Sequence, residues 1–294
     1  MWFFLALLVD GVLAGALYAL IALAFVVVYK SSRIINLALG EWMMLGSRLV
    51  AMGLQPLGLG LAGAVAWACA GMVALVVVFN RLVLRRLVGG PLTSLLMMTL
   101  GLGALMRGAS ALTFQTIPGT MQLPIPRDPL VVGGLLVPMD KLLAAVVAAV
   151  AIAAVSWLFH GSRMGVALRA VADDQQAAMG VGIDLQRYFS ITWVLMGALS
   201  VLGGTLWTVA SGGGFGVVLL GLKVFPIVII GGLDSLPGTI VAALLVGVLE
   251  SLAAGYVDPL VGGGFGSVAS NLALIAMLFV RPYGLLGHPL VERI

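Results

Sequence analysis

The sequence is poor in charged residues. Only 9% of its 294 residues are Asp, Glu, Lys or Arg, whereas 62% are hydrophobic. A soluble domain of average composition carries about 25% charged residues, so a chain this apolar needs lipid around it. The shortage of charge excludes an ordinary water-soluble domain and predicts a protein of the lipid bilayer.

Cysteine and histidine are also scarce. The single cysteine, Cys69, excludes an internal disulfide and a cysteine-based metal site, and we interpret it as a helix-packing residue. The two histidines, His160 and His288, lie far apart near the ends of apolar segments, and no HExxH, GxSxG or GxGD pattern occurs. We expect a protein that is not an enzyme and that holds no metal or cofactor of its own.

The sequence contains no GxxxxGK[ST] motif, and none of the three lysines, Lys30, Lys141 and Lys223, follows a glycine-rich loop that could cradle phosphate. An active transporter of this sequence would take its energy from a partner. The net charge of +4 comes from basic residues between hydrophobic stretches, not from an aromatic-interleaved basic patch. We therefore expect no nucleic-acid partner.

Hydropathy predicts an all-α, polytopic transmembrane helical bundle with eight or nine membrane segments in a single domain, residues 1–294. The last three segments are short or interrupted, and are candidates for discontinuous half-helices. The predicted segments are 4–29, 34–52, 58–79, 94–114, 140–159, 187–210, 217–232, 234–255 and 267–280.

Basic residues predict the orientation. The first apolar run lacks a positive leader and is longer than the core of a signal peptide, so we expect it to be retained as a helix. With nine crossings and the amino terminus outside, ten of the fifteen basic residues fall at cytoplasmic ends, as Lys and Arg prefer. This orientation places the carboxyl terminus on the cytoplasmic side of the membrane. The ten are Lys30, Arg33, Arg81, Arg85, Arg86, Arg163, Arg169, Arg187, Arg281 and Arg293.

Two connections are long and polar. Residues 115–140 contain five prolines and predict an ordered extracytoplasmic loop, including a short hairpin. Residues 161–189 are charged but offer good helix formers from Val166 to Met179, before Gly180 ends the run. This second connection predicts a cytoplasmic helix between two membrane helices.

The segment INLALGEWMMLGSR, residues 35–48, places polar side chains in an apolar helix. Each charge at depth costs about 2.5 to 3.5 kcal/mol on insertion scales, so Asn36, Glu41 and Arg48 must face protein or water. Glu41 and Arg48 lie two turns apart on one helix face. They are interpreted either as a structural polar network or as the lining of a substrate path.

The segment VFPIVIIGGLDSLPG, residues 224–238, predicts a broken helix. Gly231 and Gly232 stop one helix, and Asp234 and Ser235 are placed to cap the next, with Pro237 in its first turn. Such breaks either line a substrate path, where the positive helix end suits a carboxylate, or form an ordinary hairpin turn. Four other charged residues are interpreted as side chains that reach the membrane interface, namely Asp10, Arg107, Lys223 and Glu250.

Four stretches together resemble one family over nearly the whole chain: INLALGE, SRMGVALRAVADDQQAAMGVGI, GLKVFPIVIIGGLDSLPGTIVAALLVGVLE and FVRPYGLLG. They resemble the permeases of branched-chain amino acid ATP-binding-cassette importers, of the LivH type. The resemblance implies a heterodimer with a LivM-type permease paralogue and two cytoplasmic ATPase subunits, which bind ATP and Mg. It also implies an extracytoplasmic substrate-binding protein and transport by alternating access.

The resemblance assigns two groups of candidate residues. One group matches the loop that couples the permease to the ATPases: Arg169, Ala172, Asp173, Asp174, Gln175, Ala177, Gly180 and Ile183. The other group is expected along the substrate path: Asn36, Leu39, Gly40, Glu41, Gly231, Gly232, Asp234 and Ser235.

One departure from the family pattern leaves the substrate open. The family usually has Ile-Asn-Phe-Ala-His-Gly-Glu, where this sequence has Leu37 and Leu39 in place of the aromatic residue and the histidine. Branched-chain amino acids are expected, with urea, short amides and aromatic acids as alternatives, and Leu39 motivates the hypothesis of a bulkier apolar or aromatic acid.

Three other functions fit the sequence less well. A ribose-type sugar permease should have more Asn, Gln and aromatic residues in its spanning segments. A passive channel needs rings of pore residues and a secondary carrier needs titratable relays, and the acids in this chain are too sparse for either.

Overall fold

The structure is a computed structural model that describes residues 1–87, 90–117, 121, 129–132, 134–214 and 216–287. It is an all-α polytopic helical bundle, as predicted. The helices are α1 (Trp2–Ser32), α2 (Leu39–Leu54), α3 (Gly60–Phe79), α4 (Arg85–Leu87), α5 (Leu92–Thr113), α6 (Met139–Gly161), α7 (Arg163–Asp173), α8 (Gln175–Gly180), α9 (Leu185–Ser211), α10 (Gly216–Gly231), α11 (Leu236–Tyr256), α12 (Asp258–Val261) and α13 (Phe265–Val280), with a π-helical turn at Asn80–Leu84 and two strands, β1 (Leu130–Val132) and β2 (Leu135–Val137).

Each of the nine predicted membrane segments overlaps a helix, but α2 begins at Leu39, so the prediction that Asn36 lies within the helix is wrong. Six helices are long and apolar enough to cross a bilayer: α1, α3 with its π-helical extension, α5, α6, α9 and α11. The apolar helices α10 and α13 have 16 residues each and are shorter than a full crossing requires. Helix α2 also has 16 residues. The prediction that some segments are short and discontinuous therefore agrees with the helix lengths.

The chain divides into two compact units, each assembled from separate stretches of sequence. Unit 1 comprises Met1–Val26, Pro124–Ile152 and Lys223–Ile294, and unit 2 comprises Val27–Leu123 and Ala153–Leu222. The single domain expected over residues 1–294 stays a prediction.

In unit 1, close helix packing depends on glycine. Gly11 and Gly15 are separated by three residues in α1 and face α11, where a Cβ on either glycine would come within 2.6 to 2.8 Å of the α-carbons of Val248 and Leu244. Small residues at this spacing let two backbones approach where lipid supplies no hydrophobic drive. Helix α13 packs on α11 in the same unit.

Unit 2 is built around α2, which packs against α3, α5 and α9. Gly46 lies against the backbone of Val201 in α9, where an added Cβ would meet the Val201 α-carbon at 2.8 Å. An aromatic cluster fills the contact of the three helices: the Trp42 and Trp193 ring centroids are 6.3 Å apart, and Phe79 lies 4.9 Å from Trp193. Helix α2, which carries Glu41 and Arg48, is thus enclosed by apolar neighbours.

The structure describes part of the first long connection, residues 115–140. The hairpin expected within residues 115–140 is present as antiparallel β1 and β2, joined by a turn in which Gly134 has a φ of 91°. Much of that loop lies outside the described residues, namely 118–120, 122–128 and 133. His288 and Arg293, named in the sequence analysis, also lie outside them.

The predicted cytoplasmic helix from Val166 to Met179 is wrong in its bounds. The structure has two helices, α7 and α8, separated at Asp174. The Ser162 hydroxyl accepts a hydrogen bond from the Gly165 N–H and starts α7 earlier than predicted, because this cap satisfies a free backbone donor. Gly180 ends α8, as predicted.

Candidate substrate path and coupling site

Asn36 shapes the start of α2. Its side-chain oxygen accepts a hydrogen bond of 3.1 Å from the Ala38 N–H, and its amide nitrogen lies 4.0 Å from the Met196 sulfur. The side chain is buried. An Asn that bonds the backbone two residues ahead stabilises a turn, and here that turn leads the chain into the helix.

Glu41 forms an ion pair that the sequence interpretation missed. Its carboxylate is buried, and its Oε1 lies 3.2 Å from Nη1 of Arg107 in α5. Gly103 makes room for the carboxylate, because a Cβ there would lie 3.0 Å from the same oxygen. Half of the Arg107 side chain remains exposed, and its interpretation as an interface-reaching side chain stays a prediction.

Arg48, predicted to lie on the same face of α2 as Glu41, has a different partner. Arg48 donates from Nη1 to the carbonyl oxygen of Ile117 at 2.5 Å. Glu41 and Arg48 both lie in α2, but each contacts a different part of unit 2. Arg48 thereby ties α2 to the chain that follows α5.

Leu39 and Gly40 pack against the first part of α10. Leu39 is 1% exposed. A Cβ on Gly221 would lie 2.5 Å from the Gly40 nitrogen, so both positions are in close backbone contact. In this conformation Leu39 is a packing residue of unit 2, and its predicted role in substrate selection stays a prediction.

The break between α10 and α11 has the predicted geometry. Gly232 has a φ of 100°, which glycine adopts without strain. The Ser235 hydroxyl accepts a hydrogen bond of 3.1 Å from the Gly238 N–H, and Pro237 lies in the first turn of α11. Ser235 therefore caps α11, whereas the sequence allowed either Asp234 or Ser235.

The chain after α13 closes the carboxyl end of α10. The Leu285 N–H donates to the Ile230 carbonyl at 2.7 Å, and the Leu286 N–H donates to the Gly231 carbonyl at 3.3 Å. These bonds satisfy carbonyl groups that a helix end leaves without partners. The FVRPYGLLG stretch thus has a structural role beside Gly231 and Gly232.

The coupling candidates form an exposed two-helix segment in unit 2. Asp174 lies between α7 and α8, and its Oδ1 accepts hydrogen bonds from the N–H groups of Gln176 and Ala177 at 2.8 and 3.0 Å. Asp173, Asp174 and Ala177 are exposed. Arg169 donates to the carbonyl oxygen of Phe159, so it fastens α7 to the end of α6.

The same segment packs on the start of α9. Val171, Ala178 and Phe189 form a small apolar core, and Ile183 is packed against it. The segment therefore presents charged residues outward and keeps an apolar face on the body of unit 2. Such an amphipathic arrangement is typical of a helix that is fixed to its own chain and exposes its other face.

Arg33 joins this segment to the end of α1. Its Nη2 donates to the Ala172 carbonyl at 3.0 Å, and Gln175 reaches the Ser31 carbonyl at 3.4 Å. Arg33 has a φ of 57°, a backbone conformation that residues other than glycine adopt uncommonly. A cavity of about 460 Å³ lies here, lined by Ser32, Arg33, Gly90, Leu95, Ala172, Asp173, Asp174 and Gln175.

Unit 1 holds two further charge clusters. The Tyr18 hydroxyl donates to Oε2 of Glu250 at 2.8 Å, and Nζ of Lys223 lies 2.9 Å from the same oxygen. Asp10 pairs with Lys141 at 2.5 Å. These partners of Asp10, Lys223 and Glu250 were not predicted, and the interpretation of the three as interface-reaching side chains stays a prediction. The sequence signal that could have found them is their charge inside apolar segments, which demands a partner.

Comparison with known proteins agrees with the helical architecture. Residues 7–280 match the family described as branched-chain amino acid transport system / permease component. The high-affinity branched-chain amino acid transport system permease protein LivH of Salmonella typhimurium is 28% identical over 316 residues, covering 99% of this chain and 98% of that protein. The permease protein BraD of Pseudomonas aeruginosa is 29% identical over 309 residues, with the same coverage.

A solved structure shares the fold at lower sequence similarity. PsaBC from Streptococcus pneumoniae in complex with Fab has a TM-score of 0.50 and 14% identity, and the match covers 93% of this chain and 91% of that one. The match to the family extends over nearly the whole chain and leaves out only the first residues of α1 and the chain after α13. The chain therefore belongs to the family of branched-chain amino acid transport system permease components.

Proposed function

We propose that this chain is the membrane-spanning permease subunit of an ATP-binding-cassette importer that moves branched-chain or other hydrophobic amino acids across the cytoplasmic membrane. The names of the relatives support this cargo, because LivH and BraD are both high-affinity branched-chain amino acid permeases. The chain has no phosphate-binding GxxxxGK[ST] motif, so ATP is hydrolysed by partner subunits that bind it with Mg.

The observation that carries the proposal is the segment α7–α8. It is short, exposed and charged, and it is tied to neighbouring elements by Arg33, Arg169 and the Val171 core. A segment held at several points can transmit the movement of a docked partner to the helices it is attached to. The ATPase contacts Asp173, Asp174 and Ala177 on the exposed face, while Ala172 and Ile183 hold the segment in place.

Movement of this segment reaches the polar start of α2. Arg33 bonds the Ala172 carbonyl and lies only a few residues before Asn36 in the chain. Displacement of α7 and α8 would therefore shift the turn that carries Asn36 and, through α2, the Glu41–Arg107 pair. This is the alternating-access step that ATP binding drives in the proposed cycle.

The proposed assembly contains four kinds of subunit. This permease pairs with a LivM-type paralogue, two ATPases dock on the cytoplasmic side, and a substrate-binding protein delivers ligand from outside. The amino terminus lies outside and the carboxyl terminus inside, so that α7 and α8 face the ATPases.

The test is substrate-stimulated ATP hydrolysis by the complex in lipid. The chain is expressed with its partner subunits, purified through a tag on this chain, and assayed with the binding protein and leucine, phenylalanine, urea or an aromatic acid. We expect ATPase subunits to copurify and leucine to stimulate hydrolysis. A complex without ATPase subunits, or one indifferent to all four ligands, contradicts the proposal, and stimulation by urea alone would reassign the cargo.

A further inference from the structure

A polar cavity of about 240 Å³ lies within unit 1. Charged and polar side chains are unusual inside a membrane protein and commonly mark a functional site. Those that line this cavity are Asp10, Tyr18, Lys223, Glu250, Ser251, Asp258 and Ser267.

Two of the three acids are already engaged by the protein. Asp10 pairs with Lys141 through Oδ1 at 2.5 Å. Asp258 accepts three backbone N–H groups, from residues 264 to 266, at 2.7 to 3.2 Å, and so fixes the start of α13. Both carboxylates have structural partners that explain their presence.

Glu250 differs from the other two acids. Its residue is 8% exposed, and Oε2 is held by Tyr18 and Lys223, but the buried Oε1 has no hydrogen-bond partner among the described residues. A buried carboxylate oxygen without a donor is costly, and native structures seldom leave one so. The geometry leaves one strong acceptor, Glu250 Oε1, for a donor that the described part of the chain does not supply.

Lys223 supplies the complementary group. Its Nζ contacts the Tyr18 hydroxyl at 2.7 Å and Glu250 Oε2 at 2.9 Å. A lysine ammonium carries three N–H donors, so a third donor is available to an acceptor in the cavity. An acceptor for a cation and a donor for an anion therefore lie side by side, because Lys223 is bonded to the other oxygen of the same carboxylate.

We propose that this cavity binds the backbone groups of a zwitterionic amino acid. The ligand ammonium donates to Glu250 Oε1, and the ligand carboxylate accepts from Lys223 Nζ. In an α-amino acid the ammonium and the carboxylate are attached to the same carbon atom. Their short separation matches the adjacent positions of Glu250 and Lys223. The inference rests on the proposed function and specifies its cargo, since urea lacks both charges and an aromatic acid without an amine lacks the ammonium.

The other lining residues fit an apolar side chain, and the charges argue against a metal ion. Ala14, Gly247, Ala254 and Gly266 line the rest of the cavity and leave space beside the polar groups. No group of three or more His, Cys, Asp or Glu residues suited to a metal occurs in the part of the chain that the structure describes. The Lys223 ammonium would also repel a metal cation at Glu250, whereas a zwitterion brings a carboxylate for it.

The test is direct ligand binding without the substrate-binding protein. The full chain, with the subunits that copurify, is placed in lipid nanodiscs and titrated with leucine, isocaproate, which lacks the ammonium, and isoamylamine, which lacks the carboxylate. We expect leucine to bind at least about tenfold more tightly than either analogue, as a charged hydrogen bond would provide.

Glu250→Gln should remove the preference for leucine over isocaproate while isocaproate binding stays within a few fold of wild type. Glutamine keeps an acceptor for Tyr18, so the local fold is retained. A purely structural role of Glu250 would instead weaken all three ligands equally. Asp140→Asn is the control, because it removes one acid from the first turn of α6, outside the cavity. This control variant should discriminate among the three ligands as wild type does.

Four outcomes overturn the site assignment. They are retained discrimination in Glu250→Gln, equal weakening of all three ligands in that variant, equal binding of leucine and isocaproate by wild type, and binding that depends on Na⁺ in place of the ligand ammonium. These failures are distinct from failure of the proposed function. Suppose that the chain copurifies with ATPases and leucine stimulates hydrolysis, but the Glu250→Gln variant still discriminates among the three ligands. The chain then remains an importer subunit whose recognition site lies elsewhere.

Discussion

Glu41 and Arg107 pair across 66 positions of sequence in unit 2, with an N–O distance of 3.2 Å. Glu41 is 5% exposed, so its carboxylate has lost nearly all contact with solvent or lipid headgroups. Arg107 retains 49% of its side-chain exposure. The two partners therefore contribute unequally to stability. Loss of the arginine leaves the buried Glu41 charge without its partner, whereas loss of the acid leaves an arginine that can move outward.

We predict that Arg107→Met destabilises the chain more than Glu41→Gln does. The expected loss is about 1 to 3 kcal/mol, the usual penalty for a buried polar group left without its partner, with partial exposure of Arg107 placing it towards the lower end. The measurement is the temperature at which purified protein in lipid nanodiscs loses its monodisperse elution profile.

The double variant and a matched control make that prediction specific. Glu41→Gln combined with Arg107→Met should be more stable than Arg107→Met alone, because no buried charge remains unpaired. Arg81→Met, at an exposed arginine of the π-helical turn, should leave the transition unchanged. Additive losses in the double variant would show that the pair does not contribute.

Sequence spacing could not identify this pair. Helical periodicity places Glu41 and Arg48 on one face of α2, and that geometry is correct. It does not say which neighbouring helix faces them, and the approach of α5 through Gly103 decides that Glu41 bonds Arg107. The same limitation applies to Tyr18 and Glu250, which are 232 positions apart.

At the scale of elements, the coupling segment depends on a cap. The α7–α8 break places one aspartate where its side chain accepts two backbone N–H groups of the following helix. Helix α8 has only six residues, too few to be stable without tertiary packing and a cap. The position of the exposed face of α8 should therefore depend on Asp174.

We predict that Asp174→Ala uncouples ATP hydrolysis from uptake while the protein still inserts and assembles. Loss of an N-cap costs about 1 kcal/mol, which is enough to displace a single helical turn. Asp174→Asn keeps the capping oxygen and should retain most of the coupling. The measurement is the ratio of leucine transported to ATP hydrolysed in proteoliposomes.

Two results would contradict this prediction. Normal coupling in Asp174→Ala would show that the cap is dispensable. Equal loss in Asp174→Asn would show that the negative charge, not the cap, is what the partner requires. The paired substitutions separate a positioning role of Asp174 from a direct ionic contact with the ATPase.

The presence of α10, α11 and their break followed from the residues alone. Two glycines, a capping serine and a proline at adjacent positions determine where one helix ends and the next begins. The α7–α8 break was missed because Ala172 to Gln176 contains good helix formers around Asp174. Local propensity favoured one helix there, and the Asp174 cap together with the apolar contacts of Ala178 and Phe189 favours two.

At the scale of the whole molecule, basic residues predict which side of the membrane each connection occupies. The sole cysteine permits a clean test, because Cys69→Ser yields a background without thiols. Single cysteines can then be placed at Gln176 in α8 and at Leu136 in β2, both of which are exposed.

We predict opposite labelling of these two cysteines. In intact spheroplasts, a membrane-impermeant maleimide should modify Leu136→Cys and leave Gln176→Cys unmodified until the membrane is permeabilised. The reverse pattern would invert the proposed orientation, and labelling of both from outside would contradict a membrane between them. Transport by the cysteine-free variant serves as the control for correct insertion.

The sequence by itself determined the lipid environment, the helices and the family of this protein. Composition requires lipid, apolar runs of about 20 residues require membrane helices, and four stretches of sequence indicate the permease family that residues 7–280 match. These properties depend on single residues and their neighbours in the chain, which the sequence records directly.

The tertiary structure alone decided which charged residues pair, and it left Glu250 Oε1 without a hydrogen-bond partner among the described residues. Asp10 with Lys141, Glu41 with Arg107, and Glu250 with Tyr18 and Lys223 all join helices distant in sequence. Their pairing depends on how each helix is rotated about its axis and on the close approaches that glycines such as Gly15 and Gly103 permit. Those rotations follow from the packing of many side chains together, so no local pattern of residues encodes them.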